Sequence, residues 1–209
     1  MISDFKKNLR KKMRGIQKSY LANLTYKEKH SLAENLCEKV TARPEYKAAD
    51  LVLAYIPDTL EADCTPVILD ALEKGKKVCV PKVDFTAMKA GQSKMDFYFL
   101  DGSKPIEEQL ETGTYGIREP KAGLEKFVRE KDCRVKPGHD TAIFVLVPGV
   151  AFTKDGKRLG HGKGFYDIYI ERMKKAGMNP FLCGICLPCQ ILEDLPADEH
   201  DVLMDVILS

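Results

Sequence analysis

Apolar residues recur at intervals of three and four along residues 3–20, which predicts an amphipathic helix with its apolar side against the protein core. The apolar positions are Phe5, Leu9, Met13, Ile16 and Tyr20. A basic ridge runs beside them, because positions four apart lie about 40° from one another around a helix. The ridge consists of Lys6, Arg10 and Arg14. Such a ridge is ordinarily a solvated surface, so it indicates a binding site only together with other observations.

A second helix is predicted from Thr25 to about Val40, because Thr25 and Glu28 have the spacing of a capping box. The continuous apolar run 51–57 then predicts a buried strand, and residues 65–75 predict a helix that Gly75 ends. Residues 77–81 form another short apolar strand. Strands that alternate with helices favour a parallel sheet with helices on its faces.

The second half of the chain continues the alternation, with irregular segments between its elements. Residues 84–94 and 101–140 are polar and turn-like, so we expect loops there. The most apolar strand is predicted at 141–148, and we expect it to be central because both of its faces are apolar. The remaining predicted elements are a strand at 95–100, a helix at 165–176, a strand at 181–187, a short helix at 189–194 and a strand at 202–208. No internal repeat or linker divides the chain, so we expect one domain over residues 1–209.

The overall charge argues against a large nucleic-acid or membrane surface. The net charge is +2 with 31% charged and 44% apolar residues, which is an ordinary balance for a soluble protein. The amino-terminal stretch lacks the apolar segment of a signal peptide, and the longest apolar run is too short to span a bilayer. We therefore expect no nucleic-acid partner, no membrane association and a cytoplasmic location.

The cysteines fit the same interpretation. Seven cysteines, an odd number, predict reduced thiols in an intracellular protein. Cys183, Cys186 and Cys189 have a C-x2-C-x2-C spacing, but no fourth cysteine followed by proline completes an iron–sulfur motif. We interpret this segment as a buried strand.

The segment RLGHGKGFYD, residues 158–167, combines alternate glycines with cations. It matches neither the Walker pattern nor the dinucleotide-binding fingerprint. Alternate glycines nevertheless allow backbone N–H groups to approach an anion, and Arg158, Lys163 and the following helix start add positive charge. Asp167 would repel a phosphate unless a cation lay between them, and Mg²⁺ bound by one or two carboxylates resolves that conflict. The segment therefore predicts a site for a phosphate ligand with Mg²⁺.

The longer segment PGVAFTKDGKRLGHGKGFYD, residues 148–167, resembles the hallmark of the 5-formyltetrahydrofolate cyclo-ligase family. Four further segments of that family occur in the expected order along the chain: KKNLR (6–10), EADCTP (61–66), GIREP (116–120) and DEHDVLMDVIL (198–208). The resemblance implies a three-layer α/β/α fold with a mostly parallel central sheet, similar to the ribose-5-phosphate isomerase and CoA-transferase type. It also implies that the chain is an enzyme that uses ATP and Mg²⁺ to convert 5-formyltetrahydrofolate to 5,10-methenyltetrahydrofolate, releasing ADP and phosphate.

The same resemblance assigns roles to individual residues. Arg158 and Lys163 would be catalytic, and Asp167 and Asp201 would hold the metal. The ATP-binding residues would be Lys6, Lys7, Asn8, Leu9, Arg10, Arg158, Leu159, Gly160, His161, Gly162, Lys163, Gly164, Phe165 and Tyr166. The folate-binding residues would be Ile56, Glu61, His161, Gly162, Lys163, Gly164 and Phe165.

Three positions depart from the family pattern: Phe165 replaces a usual tyrosine, Cys64 replaces a usual threonine, and His161 stands where tyrosine or arginine is common. None of them removes a predicted phosphate or metal ligand. Two alternatives stay open. One is a paralogue acting on another heterocycle, for instance in thiamine-related metabolism, and the other is a non-catalytic nucleotide-binding module. We expect small-molecule ligands and a monomer or at most a weak dimer.

Overall fold

A six-stranded, mostly parallel sheet forms the centre of the protein. The computed structural model describes residues 2–113, 116–127, 141–196, 198 and 201–209. The helices in these ranges are α1 (Ile2–Ala22), α2 (Tyr26–Ala42), α3 (Pro44–Ala48), α4 (Thr65–Glu73), α5 (Phe85–Lys89), α6 (Ile106–Gln109), α7 (Phe165–Lys175) and a 3₁₀ helix at Pro188–Gln190. The strands are β1 (Leu51–Leu53), β2 (Lys77–Val83), β3 (Met95–Phe99), β4 (Leu110–Thr112), β5 (Arg118–Pro120), β6 (Ile143–Val147), β7 (Ala151–Thr153), β8 (Arg158–Leu159), β9 (Phe181–Ile185), β10 (Ile191–Leu192) and β11 (Val206–Leu208).

The strand order of the large sheet is β11-β9-β6-β1-β2-β3, and only the β2–β3 pair is antiparallel. Strand β6 pairs with β1 on one side and β9 on the other, with Leu53 opposite Val145 in the first pair. All five residues of β6 are buried. The predicted central position of this strand is therefore confirmed.

Helices cover both faces of this sheet. Val52 and Ala54 belong to a core cluster with residues of α2, α3 and α4, whereas Leu51 and Leu53 belong to a second cluster with residues of α7. Successive side chains of a strand point to opposite faces, so these two clusters are the two faces of one sheet. The architecture is thus the three-layer α/β/α arrangement that the sequence predicts.

Two smaller sheets complete the described part of the fold. Strands β4 and β5 pair with each other, and β7 pairs with both β8 and β10. The β7–β8 pair is antiparallel, and β8 leads directly into the glycine-rich segment before α7. A short hairpin therefore presents that segment at the carboxyl end of the central strand β6.

Local signals place several boundaries as expected. Thr25 accepts a hydrogen bond from the Glu28 backbone N–H and Glu28 reaches back to Thr25, which confirms the capping box. Gly75 follows α4 with φ +72°, a conformation that residues other than glycine rarely adopt.

Other predicted boundaries are wrong. Strand β1 covers only Leu51–Leu53 of the predicted 51–57, because the chain turns after Ala54 into a loop that the Tyr55 hydroxyl ties to the Ala62 carbonyl at 2.6 Å. A short helix, α5, interrupts the predicted loop 84–94, since Asp84 caps it. The predicted helix at 189–194 is the 3₁₀ turn followed by β10. Short strands and α6 lie within 101–127, and residues 128–140 of the predicted loop lie outside the described residues.

Helix α1 extends over the predicted range, but only part of its apolar stripe faces the protein, together with two polar residues. Phe5 and Ile16 are 58% and 36% exposed, whereas Lys6 and Gln17 are 7% and 2% exposed. Met13 packs on Ala151 and Leu159 of the β7–β8 hairpin. Lys6 and Gln17 face inward because they bond to polar segments at the rim of the sheet. The predicted inward position of the apolar stripe therefore holds for Leu9, Met13 and Tyr20 and is wrong for Phe5 and Ile16.

The cysteine-rich strand is structural in the described part of the chain. Cys183 and Cys186 are buried, and burial raises the pKa of both thiols, that of Cys186 to about 12. Among the described residues, no group of three or more histidine, cysteine or acidic side chains is arranged to hold a metal. No helix in those same ranges is long and apolar enough to cross a bilayer.

Candidate functional site

Three loops and one helix converge at the carboxyl end of the central sheet. The loop after β1 carries Glu61, and the glycine-rich loop of residues 160–164 connects β8 to α7. Asp198 and Asp201 come from the segment before β11, and α1 contributes one row of polar side chains. In open α/β sheets this rim is the usual place for ligands.

Arg158 is the most deeply buried cation of the site. Its side chain is 5% exposed, and one terminal nitrogen donates to Asp167 Oδ1 at 2.6 Å while the other donates to the Pro148 carbonyl at 3.3 Å. Its Nε is buried and has no hydrogen-bond partner among the described residues. Buried donors without a partner are uncommon in proteins, so this nitrogen is available to a ligand or a water molecule.

Tyr166 provides a second unpaired polar atom beside Arg158. The Arg158 guanidinium lies 5.8 Å from the Tyr166 ring centroid, and the Tyr166 hydroxyl is buried without a partner among the described residues. Burial and the nearby Glu61 carboxylate raise the pKa of this phenol well above its ordinary range. Tyr166 is therefore a neutral hydroxyl that can donate or accept a hydrogen bond.

The glycines of the loop leave space that cations occupy. A Cβ at Gly160 would lie 2.8 Å from an Arg158 terminal nitrogen, and one at Gly162 would lie 3.1 Å from Arg10 Cζ. Gly162 and Gly164 also have φ of +91° and +66°, and Gly164 is the N-cap of α7. Glycine at these positions lets two guanidinium groups approach the backbone of the loop.

Lys6 of α1 joins the segment before β11. Its ammonium lies 2.6 Å from both Asp198 Oδ2 and Asp201 Oδ2. Burial lowers the Lys6 pKa, but the two carboxylates raise it by more, so the net shift is upward. Burial likewise raises the Asp201 pKa, but the hydrogen bonds from Lys6 and from the Asp198 N–H lower it overall. Both groups are therefore held in their charged forms.

Arg10 and Arg14 of α1 reach the glycine-rich loop. Arg10 Nε donates to the Gly160 carbonyl at 2.7 Å, and burial lowers the pKa of the Arg10 guanidinium. Arg14 contacts His161 Nδ1 at 3.4 Å, and His161 Nε2 lies 3.3 Å from Glu61 Oε1. A neutral imidazole that carries its proton on Nε2 satisfies both contacts, because it accepts from Arg14 and donates to Glu61.

The structure brings together many of the predicted residues and places others at a greater depth or on the surface. Lys7, Asn8 and Lys163 are exposed, Leu9 packs with Met13, and Leu159 is buried. Ile56 is half-buried against the core cluster of the α2 face, and Phe165 packs against the cluster of the α7 face. The Lys163 carbonyl accepts a hydrogen bond from the Ser93 hydroxyl, which the sequence interpretation did not anticipate.

Gln17 and Asp198 are further members of the site that motif reasoning missed. Gln17 Nε2 donates to the Leu60 carbonyl at 3.1 Å, next to Glu61. Its spacing offers a signal, because Lys6, Arg10, Arg14 and Gln17 lie on one side of a helix. Asp198 precedes Asp201 by three residues, and that pair of acids facing a buried lysine was visible only as part of the closing motif.

The two carboxylates of Asp167 and Asp201 suit a Mg²⁺ ion that takes only one or two ligands from the protein. Asp167 bonds to Arg158, and Asp201 lies near the same arginine. The Asp201 pKa is lowered by Lys6 and, to a smaller extent, by the charge of Arg158. Mg²⁺ ordinarily takes one or two carboxylates and completes its shell with phosphate oxygens and water. Two carboxylates beside a buried arginine fit that habit, and they do not fit a metal held by protein ligands alone.

A separate cavity opens beside the predicted folate contact. Its volume is about 290 Å³, and its walls include Tyr26, Leu32, Leu36 and Pro188. It shares only Glu61 with the residues that the sequence assigns to the site. It therefore lies next to the cluster of cations rather than within it.

Comparison with known proteins gives matches along nearly the whole chain. A family model described as "5-formyltetrahydrofolate cyclo-ligase family" matches residues 2–209. The chain belongs to the 5-formyltetrahydrofolate cyclo-ligase family. Members of this family are ligases. A relative from Schizosaccharomyces pombe, named probable 5-formyltetrahydrofolate cyclo-ligase, is 32% identical over 207 residues, covering 94% of this chain and 93% of its own.

Two solved structures of cyclo-ligase relatives have the same fold. The 5,10-methenyltetrahydrofolate synthetase of Aquifex aeolicus is 31% identical with a TM-score of 0.71, covering 97% of this chain and 88% of its own. The corresponding synthetase of Mycoplasma pneumoniae is 23% identical with a TM-score of 0.63, covering 97% and 96%, and supports the fold alone. The mixed α/β fold expected for this cyclo-ligase family member is therefore confirmed.

Proposed function

We propose that the protein converts 5-formyltetrahydrofolate to 5,10-methenyltetrahydrofolate at the cost of one ATP, with Mg²⁺ bound. The observation that carries this proposal is a pair of buried polar atoms, Arg158 Nε and the Tyr166 hydroxyl, that have no partner in the ranges that the structure describes. They lie beside a glycine-rich loop at a helix start, in a chain of the cyclo-ligase family. A phosphate group would supply acceptors for donors that otherwise stay unsatisfied.

The phosphates of ATP would contact the glycine-rich loop and its cations. Arg158 and Lys163 would face the transferred phosphoryl group, while Arg10, held by the Gly160 carbonyl, adds charge from α1. Catalysis of phosphoryl transfer consists mainly of positioning and of stabilising charge on the phosphoryl oxygens. Lys6 would act from a greater distance, because its ammonium is bonded to Asp198 and Asp201.

Asp167 and Asp201 would hold Mg²⁺, which supplies charge neutralisation between phosphate oxygens and carboxylates when it is bound. For this to happen, Asp167 would share its carboxylate between the metal and Arg158, to which it already bonds. Arg158 thereby orients Asp167. The same arginine contributes positive charge near Asp201, which favours the ionised carboxylate that a metal requires.

Glu61 would recognise the pterin part of the folate. Its carboxylate is 12% exposed and accepts hydrogen bonds from the Asp58 backbone N–H at 3.1 Å and from His161 at 3.3 Å. A carboxylate fixed in this way can accept two parallel hydrogen bonds from the amino and ring N–H groups of a pterin. His161 would then move or share its bond when the folate binds, which links the folate site to the glycine-rich loop.

The chemical steps follow from the poor leaving ability of a formyl oxygen. That oxygen attacks the γ-phosphorus of ATP, ADP departs, and the oxygen becomes part of a phosphate ester. The neighbouring N10 amine then attacks the formyl carbon, the C–O bond breaks, and phosphate leaves with that oxygen while N10 loses its proton to solvent. No general base from the protein is required.

A direct assay tests the proposal. The purified protein is incubated with 5-formyltetrahydrofolate, ATP and Mg²⁺, and the methenyl product is followed by its absorbance while ADP and phosphate are measured. We expect product, ADP and phosphate in equal amounts, and no product when ATP or Mg²⁺ is omitted. Binding of ATP without product would instead favour the nucleotide-binding module, and turnover of a different heterocycle alone would favour the paralogue.

Cytoplasmic location and a monomeric or weakly dimeric state stay predictions. Sedimentation of the purified protein over a range of concentrations tests the second of these. A stable dimer at micromolar concentration would contradict it.

A further inference from the structure

We infer that Gln17 is a positioning residue, which fixes the Glu61 loop to helix α1 and so sets the affinity for the folate. This inference rests on the proposed function, because it assumes that Glu61 binds the substrate. Gln17 matches no motif, and it is 2% exposed on a helix whose neighbouring apolar residues Phe5 and Ile16 are exposed. A buried amide on such a helix requires a polar partner, and the Leu60 carbonyl provides it at 3.1 Å.

The loop that Gln17 holds is ordered largely by its own hydrogen bonds. Asp58 Oδ1 accepts from the N–H groups of Leu60 and Glu61 at 2.7 and 3.0 Å, and Glu61 Oε2 accepts from the Asp58 N–H at 3.1 Å. Because of these bonds, the loop and the Glu61 carboxylate form one small unit. The direction in which the carboxylate points therefore depends on how this unit is attached to the rest of the protein.

Gln17 attaches this loop to α1, and the same helix also holds the glycine-rich loop. Arg10, two turns before Gln17, bonds to the Gly160 carbonyl, and Arg14, about one turn before Gln17, contacts His161. A helix is stiff over three turns, so a side chain at each turn fixes the spacing of the loops that it touches. The distance between the predicted ATP loop and the predicted folate carboxylate is thus set along α1.

The opposite attachment of the loop comes from the core. The Tyr55 hydroxyl donates to the Ala62 carbonyl at 2.6 Å, immediately after Glu61. The loop is therefore held by Gln17, by Tyr55 and, through the contact of Glu61 with His161, by the glycine-rich loop, so removing the Gln17 bond leaves two other attachments in place. We expect the loop to stay folded in that case but to sample more than one orientation of Glu61.

The test uses the full-length chain and the substitution Gln17→Met, which keeps an unbranched side chain of similar size and removes the donor. Binding of 5-formyltetrahydrofolate and of a non-hydrolysable ATP analogue is measured separately by calorimetry. We expect the folate affinity to fall about tenfold, the effect of one lost hydrogen bond that leaves a buried acceptor unpaired. The affinity for the ATP analogue should change by less than about twofold, since Arg10 still holds its loop.

Lys18→Met is the matched control, because Lys18 is an exposed neighbour on α1 and its replacement should leave both affinities unchanged. A double-mutant cycle with Glu61→Gln separates positioning from general stability. If Gln17 acts through Glu61, Gln17→Met should lower folate affinity by less than about twofold when Glu61 has already been replaced. Gln17→Asn, whose amide is too short to reach Leu60, replaces Gln17→Met if that variant does not fold.

Unchanged folate binding in Gln17→Met would overturn the inference, and so would an equal loss of affinity for folate and ATP analogue. Additive effects in the cycle with Glu61→Gln would overturn it as well. A wild-type protein that does not bind 5-formyltetrahydrofolate would overturn the proposed function, and this inference would fall with it.

Discussion

Both ends of the central sheet carry clusters of cations, yet the two clusters differ in burial and in partners. At the carboxyl end, the side chains of Arg158 and Lys6 are 5% and 9% exposed and bond to aspartates. At the amino end, a cavity of about 530 Å³ is bordered by the four lysines Lys47, Lys74, Lys76 and Lys77. Lys76 is the half-buried member of that group, and its ammonium donates to the carbonyls of Lys47 and Ala49.

The difference shows why a count of cations does not identify a site. The lysines at the amino end are satisfied by carbonyls, by Asp70 or by the faces of Tyr46 and Phe99, or are exposed to water. The carboxyl end instead combines buried cations, carboxylates that hold them and polar atoms that have no partner within the described part of the chain. Burying a charged side chain costs free energy, and clusters of buried charged groups are associated with functional sites.

The largest effect is expected from Arg158→Met. If Arg158 faces the transferred phosphoryl group as proposed, its loss should lower kcat/KM by a factor of roughly 100 to 1,000, as does loss of a comparable transition-state contact in other enzymes. Lys77→Met at the amino end should leave kcat/KM within about twofold. Steady-state kinetics of the methenyl assay on both variants measures the contrast, and equal losses would show that the two ends do not differ in function.

A smaller effect is expected on stability from Lys6→Met. The substitution leaves Asp198 and Asp201 facing each other without their cation, and we expect the free energy of unfolding to fall by about 1–3 kcal/mol, less than for a fully buried pair. Lys47→Met, an exposed lysine at the amino end, should change it by less than about 0.5 kcal/mol. Urea unfolding compares the two, and a similar loss for both would contradict the distinction.

The pH dependence of that loss sharpens the prediction. Asp201 titrates below its ordinary pKa of 3.8 in the folded protein, so its contribution is present above that value and disappears as the pH falls through the lower folded pKa. Lys6 titrates above its ordinary 10.5, so its contribution is complete below 10.5 and disappears as the pH rises through the folded pKa. The difference in stability between wild type and Lys6→Met should therefore be constant from about pH 5 to about pH 9.5 and shrink outside that range. A difference that varied within the range would count against the ion pair as its source.

The smallest effect is expected from Lys76→Met. Its ammonium bonds to two backbone carbonyls, so we expect a loss of about 1 kcal/mol in the free energy of unfolding. The kinetics of the methenyl assay should be unchanged. A lower kcat with an unaltered melting temperature would mean that the amino end of the sheet takes part in the reaction.

Much of the sheet could be predicted because its signals are local. Apolar runs mark β6 and β9, and Thr25 and Gly75 mark helix ends through backbone geometry that their side chains favour. The orientation of α1 could not be predicted in the same way. Lys6, Arg10 and Gln17 are held by partners that lie more than 40 residues away in sequence, and these contacts carry no signal within the helix itself.

The residues of the site likewise fall into those with a local sequence signal and those without one. The glycine-rich loop and Asp167 are close in sequence, so a phosphate and Mg²⁺ site could be predicted from their spacing. The family resemblance added Lys6, Glu61 and Asp201 to that prediction. Gln17 was missed because its spacing on α1 places it beside the basic row without identifying a partner, and the Leu60 carbonyl lies opposite it only in the folded chain. The bridging position of His161 between Arg14 and Glu61 likewise depends on three segments that only the folded chain brings together.

The bonds from Lys6 to Asp198 and Asp201 join positions that are 192 and 195 residues apart. During synthesis on the ribosome, α1 therefore emerges long before the carboxylates that neutralise its buried lysine. Contacts of such long range form late, because almost the whole chain must be ordered before they can close. A chain that ended before Asp198 would thus contain α1 and the glycine-rich loop while Lys6 still lacked both of its carboxylate partners.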